Sequence, residues 1–124
     1  MKINKNERTV YVDCDDTLIL SKFNPKAEGL LRADVLDPLT HKYIRVAVHE
    51  PMVRLLKEEK HRGSHITVWS RGGYEWAANV VRGLDLVPFV DEVCTKPMVY
   101  FDDLDIADWL SYRVYLEPDC RYKK

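Results

Sequence analysis

The chain is organised around Thr9-Val10-Tyr11-Val12-Asp13-Cys14-Asp15-Asp16-Thr17-Leu18. The first four residues are β-branched or aromatic and the run ends abruptly in acids. That pattern predicts a buried strand delivering carboxylates at its tip. Working outward, Asp37-Pro38-Leu39-Thr40 separates two strand-like stretches within residues 29–48, which predicts a hairpin inserted after the first strand and overhanging the active edge. Glu50-Pro51 opens an amphipathic helix to about Arg62, with Met52, Val53, Leu55 and Leu56 inward and Gly63 as its C-cap. A second strand follows at His65 to Trp69, and Gly72-Gly73 precedes a second helix from Tyr74 to about Arg82, ended by Gly83.

Asp91 to Thr95 reads as a third strand, Met98-Val99-Tyr100-Phe101 as a fourth that again ends in acids, and Tyr112 to Leu116 as a fifth after a short helix near Asp105 to Leu110. Such alternation predicts an α/β fold, a parallel sheet with helices on both faces. At 124 residues the chain is expected to form a single domain, residues 1–124. Its 46% hydrophobic and 31% charged residues suit a packed core, not disorder. The net charge of -1 argues against a global basic field for nucleic acid or membrane surfaces. No apolar run reaches the roughly 20 residues of a membrane span, and Met1 to Arg8 lacks the apolar centre of a signal peptide, so a cytoplasmic protein is expected. Cys14, Cys94 and Cys120 show no paired spacing and read as reduced thiols.

In a parallel α/β sheet ligands bind beyond the carboxyl ends of the strands, which here carry Asp13 to Thr17, Ser70 to Gly73, Lys96, and Asp102-Asp103. Two carboxylates about 4 Å apart repel by about 4 kcal/mol at an effective dielectric of 20, so acids gathered at neighbouring tips call for a cation or raised pKa values. An all-oxygen set favours Mg²⁺, completed by water and substrate phosphate. The Ser70 hydroxyl, the backbone N–H groups from Ser70 through Arg71 to Gly73, and the Lys96 ammonium are predicted to surround a phosphoryl group. Asp13 then serves as a carboxylate nucleophile, and Asp15, two residues on, as the acid and base.

These four segments, in this order, resemble the motifs of the haloacid dehalogenase-like (HAD) hydrolases. Asp13-x-Asp15-x-Thr17-Leu18 is similar to the first motif, Ser70 after Ile66-Thr67-Val68-Trp69 to the second, Lys96-Pro97 to the third, and Val99-Tyr100-Phe101-Asp102-Asp103 to the fourth. The resemblance spans roughly residues 9 to 110. It implies a three-layer Rossmann-like fold with strand order 5-4-1-2-3 and a Mg²⁺-dependent phosphatase acting through an aspartyl phosphate. By the same resemblance Asp13 is the nucleophile, and Asp15 is the acid/base and a metal ligand through its backbone carbonyl. Thr17 supports the loop, Ser70, Arg71 and Lys96 hold phosphate, and Asp13, Asp15, Asp102 and Asp103 serve the metal. Motif four usually carries a further acid, a place that Asp105 or Asp108 can fill. The large cap domains have no room here, and the hairpin looks like the flap of capless members.

Other residues take plainer readings. Asp16 and Asp105 suit turn or N-cap positions. Cys14 sits between acids that raise a thiol pKa, so it reads as packing. His61 and His65 are interrupted by Gly63 and lack a cysteine pair, which disfavours zinc. Trp69, Trp76 and Trp109 fall on expected core faces, and Arg121 to Lys124 is the one compact basic cluster. The partner expected is a phosphorylated substrate. The alternatives are a nucleotide or nucleic-acid-end phosphatase and a phosphate-binding scaffold; the sequence does not encode the oligomeric state.

Overall fold

The computed structural model describes residues 8–21 and 23–110, together with the backbone of 115–116 and 122–123. Its strands are β1 (Thr9–Asp13), β2 (Ile19–Leu20), β3 (Arg32–Leu36), β4 (Tyr43–Val48), β5 (His65–Ser70), β6 (Glu92–Thr95), β7 (Tyr115–Leu116) and β8 (Tyr122–Lys123), and its α-helices are α1 (Glu50–His61), α2 (Tyr74–Gly83) and α3 (Ile106–Trp109). β1, β5 and β6 form a parallel sheet in that order, with Asp13 opposite Trp69 and Ser70 opposite Thr95. The central strand β5 is buried along nearly its whole length, including Ile66, Thr67 and Val68, as expected of a strand covered on both faces.

Helix α1 follows its sequence signals closely. Pro51 lies in the first turn, where its missing N–H has no intrahelical acceptor to lose, and Met52 and Leu56 are buried. The chain leaves α1 through Gly63 at φ +89°, a conformation that a side chain disfavours. Asp91 pins the other end of the sheet: its carboxylate accepts from the Ile66 amide at 2.7 Å and from Lys60 Nζ at 2.8 and 2.9 Å.

The strand pairing and turn of the inserted hairpin form as the sequence predicts. β3 and β4 pair antiparallel, β2 joins β4, and Asp37 organises the turn by accepting from the Leu39 amide at 3.0 Å and the Thr40 hydroxyl at 3.1 Å. Val35 and Val46 enter the same core as the parallel sheet, so this hairpin is packed down, and α2 packs against β3 as well as against β5 and β6. Asn79 Nδ2 donates to the Leu36 carbonyl at 2.8 Å, while Gly83 abuts Asp34 and Val35. β3 therefore runs antiparallel to α2 and aims its turn toward the end of α2 that adjoins Ser70.

Gly83 is required by this packing. A Cβ there would lie 2.8 Å from the Asp34 carbonyl oxygen and 2.9 Å from Val35 Cγ2. Gly83→Ala should cost ~1–3 kcal/mol through overpacking, more than the ~1 kcal/mol that alanine can gain in helix propensity. A urea unfolding curve checks this: an unchanged or higher midpoint would contradict close packing of the hairpin on α2.

Among the described residues the outer half of the expected sheet does not form. The 5-4-1-2-3 order is replaced, among the described residues, by three parallel strands that correspond to the 1-2-3 half. Met98 to Phe101 is irregular and exposed, with Phe101 97% accessible, instead of a fourth strand. The connection explains this. From Thr95 to Met98 the chain reaches at most ~11 Å, whereas the outer edge of β1 is three strand spacings from β6, ~14 Å, and a parallel crossover takes roughly a dozen residues. Of the expected fifth strand, Tyr115–Leu116 pairs antiparallel with Tyr122–Lys123, and residues 112–114 lie outside the described residues. What stands is an α/β structure with a parallel sheet, a small antiparallel sheet and short additions. Among the described residues no helix is long and apolar enough to cross a membrane.

Candidate functional site

The parallel register sets the tips of β1, β5 and β6 side by side, which places Asp13, Ser70 and Lys96 at one end of the sheet. Beyond Asp13 the chain turns tightly. The Cys14 carbonyl accepts from the amides of Thr17, Leu18 and Ile19 at 3.2, 2.9 and 3.2 Å, and the Asp16 amide donates to the Ile19 carbonyl at 2.8 Å. Asp16 adopts φ +60°, which aspartate tolerates better than most residues, so it is the turn residue expected. Cys14 is fully buried while Asp13 is half-buried and Asp15 exposed. Burial, with the charges of Asp15 and Asp13, pushes the Cys14 thiol far above its ordinary range, and it is no nucleophile.

Asp15 is the most elaborately held acid at this end. Its Oδ2 accepts from Trp76 Nε1 at 3.3 Å, and the Ser70 hydroxyl also hydrogen-bonds it. Partial desolvation of the carboxyl raises its pKa, the charges of Asp13 and Asp16 add to the rise, and the two hydrogen bonds only partly offset it. That direction favours a proton-carrying Asp15.

Ser70 is fully buried and acts as a hub. Its Oγ accepts from the Gly72 amide at 3.0 Å, and its carbonyl accepts from the amides of Gly73 at 3.1 Å and Lys96 at 2.9 Å. The expectation that the amides from Ser70 to Gly73 stand open at a helix N-terminus is therefore corrected. Those of Gly72 and Gly73 are bonded to Ser70 itself, and that of Tyr74 to Thr95 Oγ1 at 3.1 Å, because Gly73 at φ +105° folds the loop back on the strand tip. Arg71 is exposed beside this loop. The Lys96 ammonium lies 5.9 Å from the centre of the Trp69 ring, the neighbouring strand's last aromatic residue. Thr17 supports the turn through its backbone: its carbonyl lies 2.7 Å from His49 Nδ1.

Asp102 and Asp103 do not join this group. Both are exposed in the irregular segment after Lys96, since no fourth strand carries them to the tip of β1. Asp102 bonds the Leu104 amide at 3.1 Å, which with Asp103 holds its carboxyl below the usual range. Asp105 caps α3 by accepting from the Ala107 amide at 2.9 Å, the plain role predicted for it, and Asp108 lies exposed within α3. Among the described residues no three His, Cys, Asp or Glu side chains form a group that could hold a metal ion. His61 packs edge-on to Phe89, and His65 is buried in β5. The basic cluster Arg121 to Lys124 and Cys120 lie outside the residues whose side chains are described.

Two participants escape sequence reasoning. Trp76 shows only as an apolar residue of an amphipathic helix, and its indole N–H is significant only once α2 is docked on β5 and β6 and brings it to Asp15. His49 shows only as a lone histidine after a strand. No family model, curated protein or solved structure matches the chain.

Proposed function

We propose that the chain is a Mg²⁺-dependent phosphomonoesterase working through an aspartyl phosphate, as its resemblance to the HAD-like hydrolases implies. The observation that carries the reading is the pair Asp13 and Asp15 at one strand tip, with Asp15 hydrogen-bonded by Trp76 and Ser70 and raised in pKa. An unpartnered Asp-x-Asp would only repel itself; here the second acid is hydrogen-bonded and biased toward its protonated form, as a proton donor requires.

In the first step an Asp13 carboxylate oxygen attacks phosphorus, the ester P–O bond breaks, and Asp15 gives its proton to the departing alkoxide. In the second, water attacks the aspartyl phosphate, Asp15 takes the proton from that water, and Asp13 is released as a carboxylate. Lys96 and Arg71 supply positive charge toward the phosphoryl oxygens, and Ser70 keeps Asp15 in place. Mg²⁺ takes one or two carboxylates with water and phosphate oxygens, a minimum that the Asp13 carboxylate and the Asp15 backbone carbonyl would satisfy without Asp102 or Asp103, leaving the Asp15 carboxyl to carry its proton, so the donor set fits. Bound there, the ion would neutralise the charge of the attacking carboxylate and the phosphate.

A panel running from p-nitrophenyl phosphate to 3′- and 5′-phosphorylated oligonucleotides, assayed with Mg²⁺ and with EDTA, tests the proposal. Hydrolysis dependent on Mg²⁺ is expected. No hydrolysis of any member would instead favour a phosphate-binding scaffold, and strong preference for oligonucleotide ends the nucleic-acid reading.

A further inference from the structure

His49 sits at the joint between β4 and α1, only 3% exposed. Its ring reaches back to the acid-bearing turn, with Nδ1 2.7 Å from the Thr17 carbonyl oxygen. A carbonyl only accepts, so Nδ1 carries the proton. The backbone of the same residue engages twice more: its N–H donates to the Leu18 carbonyl at 2.9 Å, and its carbonyl accepts from the Met52 and Val53 amides at 3.2 Å each, starting α1. Two successive carbonyls of the turn, at Thr17 and Leu18, are thus tied to one residue of the scaffold. The other ring nitrogen, Nε2, is buried with no hydrogen-bond partner. A buried acceptor without a donor costs stability. An apolar residue of similar size would fill the space without that cost, so packing alone does not account for an imidazole here.

We infer that His49 is a positioning residue, a peg whose Nδ1–H fixes the turn following Asp13 and so sets where Asp15 stands relative to Asp13. The inference rests on the phosphatase reading for its catalytic consequence, but the peg itself is testable without activity. Because Thr17 lies two residues beyond Asp15 in a turn closed on the Cys14 carbonyl, while Asp13 is held in the β1 ladder opposite Trp69, loosening the Thr17 peptide shifts Asp15 relative to Asp13. Displacement of reacting groups by an ångström can cost on the order of 100-fold in rate.

Two substitutions separate donor from bulk. His49→Phe keeps the ring and loses the donor; His49→Asn places an N–H where Nδ1 stood and loses the bulk, and His49→Leu replaces the Phe variant should that fail to fold. With p-nitrophenyl phosphate and Mg²⁺, His49→Phe should lower kcat by ~10- to 100-fold with KM little changed, and His49→Asn should recover most of the loss. Amide exchange at Thr17 to Ile19 should accelerate in the Phe variant and stay near wild type in the Asn variant. If the two variants lose kcat equally, or exchange follows bulk and not the donor, the inference is overturned. A wild-type protein that hydrolyses nothing defeats the phosphatase reading alone, and the exchange comparison then decides the peg by itself.

Discussion

Replacing Asp13 with Asn should reduce turnover below about 1% of wild type on every substrate the wild type hydrolyses. The amide cannot form the acyl phosphate, and its neighbours are poor substitutes: Asp15 is biased toward its protonated form, Cys14 is buried with its thiol pushed far up, and Ser70 is buried with its Oγ bonded to the Gly72 amide. The fold should survive. Asp13 is half-buried at the end of β1 and its backbone pairing with Trp69 does not involve the side chain. Removing one of two neighbouring like charges should leave the melting temperature unchanged or slightly raised. Steady-state kinetics beside a thermal melt measures both; residual turnover well above that level would remove Asp13 from the nucleophile's role.

The second large effect concerns Asp15→Asn, and its size should depend on the leaving group. An alkyl phosphate needs its departing oxygen protonated, so its first step should fall by roughly 100-fold or more. An aryl phosphate with a good leaving group needs little protonation, and its first step should fall far less. The pH dependence has a definite sign. Desolvation raises the Asp15 pKa, with Asp13 and Asp16 adding to it, so the proton is retained to higher pH than on an ordinary aspartate. With an alkyl substrate the wild-type rate of the first step should hold below that raised pKa and decline as pH climbs through it, and this decline should be absent in Asp15→Asn. Pre-steady-state rates on the two substrate types decide the matter. Equal losses on both would recast Asp15 as a structural or metal-binding residue.

Much of the fold is legible in local sequence because its signals are strong and agree. Glu50-Pro51 and Gly63 bracket α1, Gly73 and Gly83 bracket α2, and Asp37 announces the hairpin turn. Val12-Asp13 and Trp69-Ser70 fall at neighbouring tips because the short runs containing them pair in parallel. The misreading at Met98 to Phe101 has a physical origin. An apolar tetrapeptide before acids has the composition of a strand, but a strand exists only where a partner edge can be reached, and Lys96-Pro97 is too short a connection. The error carries Asp102 and Asp103 with it. Trp76 and His49 fail to register for the opposite reason: each is an unremarkable residue in its own segment, and its polar atom finds Asp15 or Thr17 only through contacts 61 and 32 residues distant in sequence.

The most direct test of the central claim is chemical trapping of the covalent intermediate. Protein quenched in acid during turnover of a phosphomonoester with Mg²⁺, reduced with borohydride and mapped by peptide mass spectrometry, should show Asp13 converted to homoserine, because an acyl phosphate is reduced where a free carboxylate is not. The modification should be missing without substrate and in Asp13→Asn. Hydrolysis that proceeds with Asp13 unmodified, or with the modification on another acid, would contradict the account.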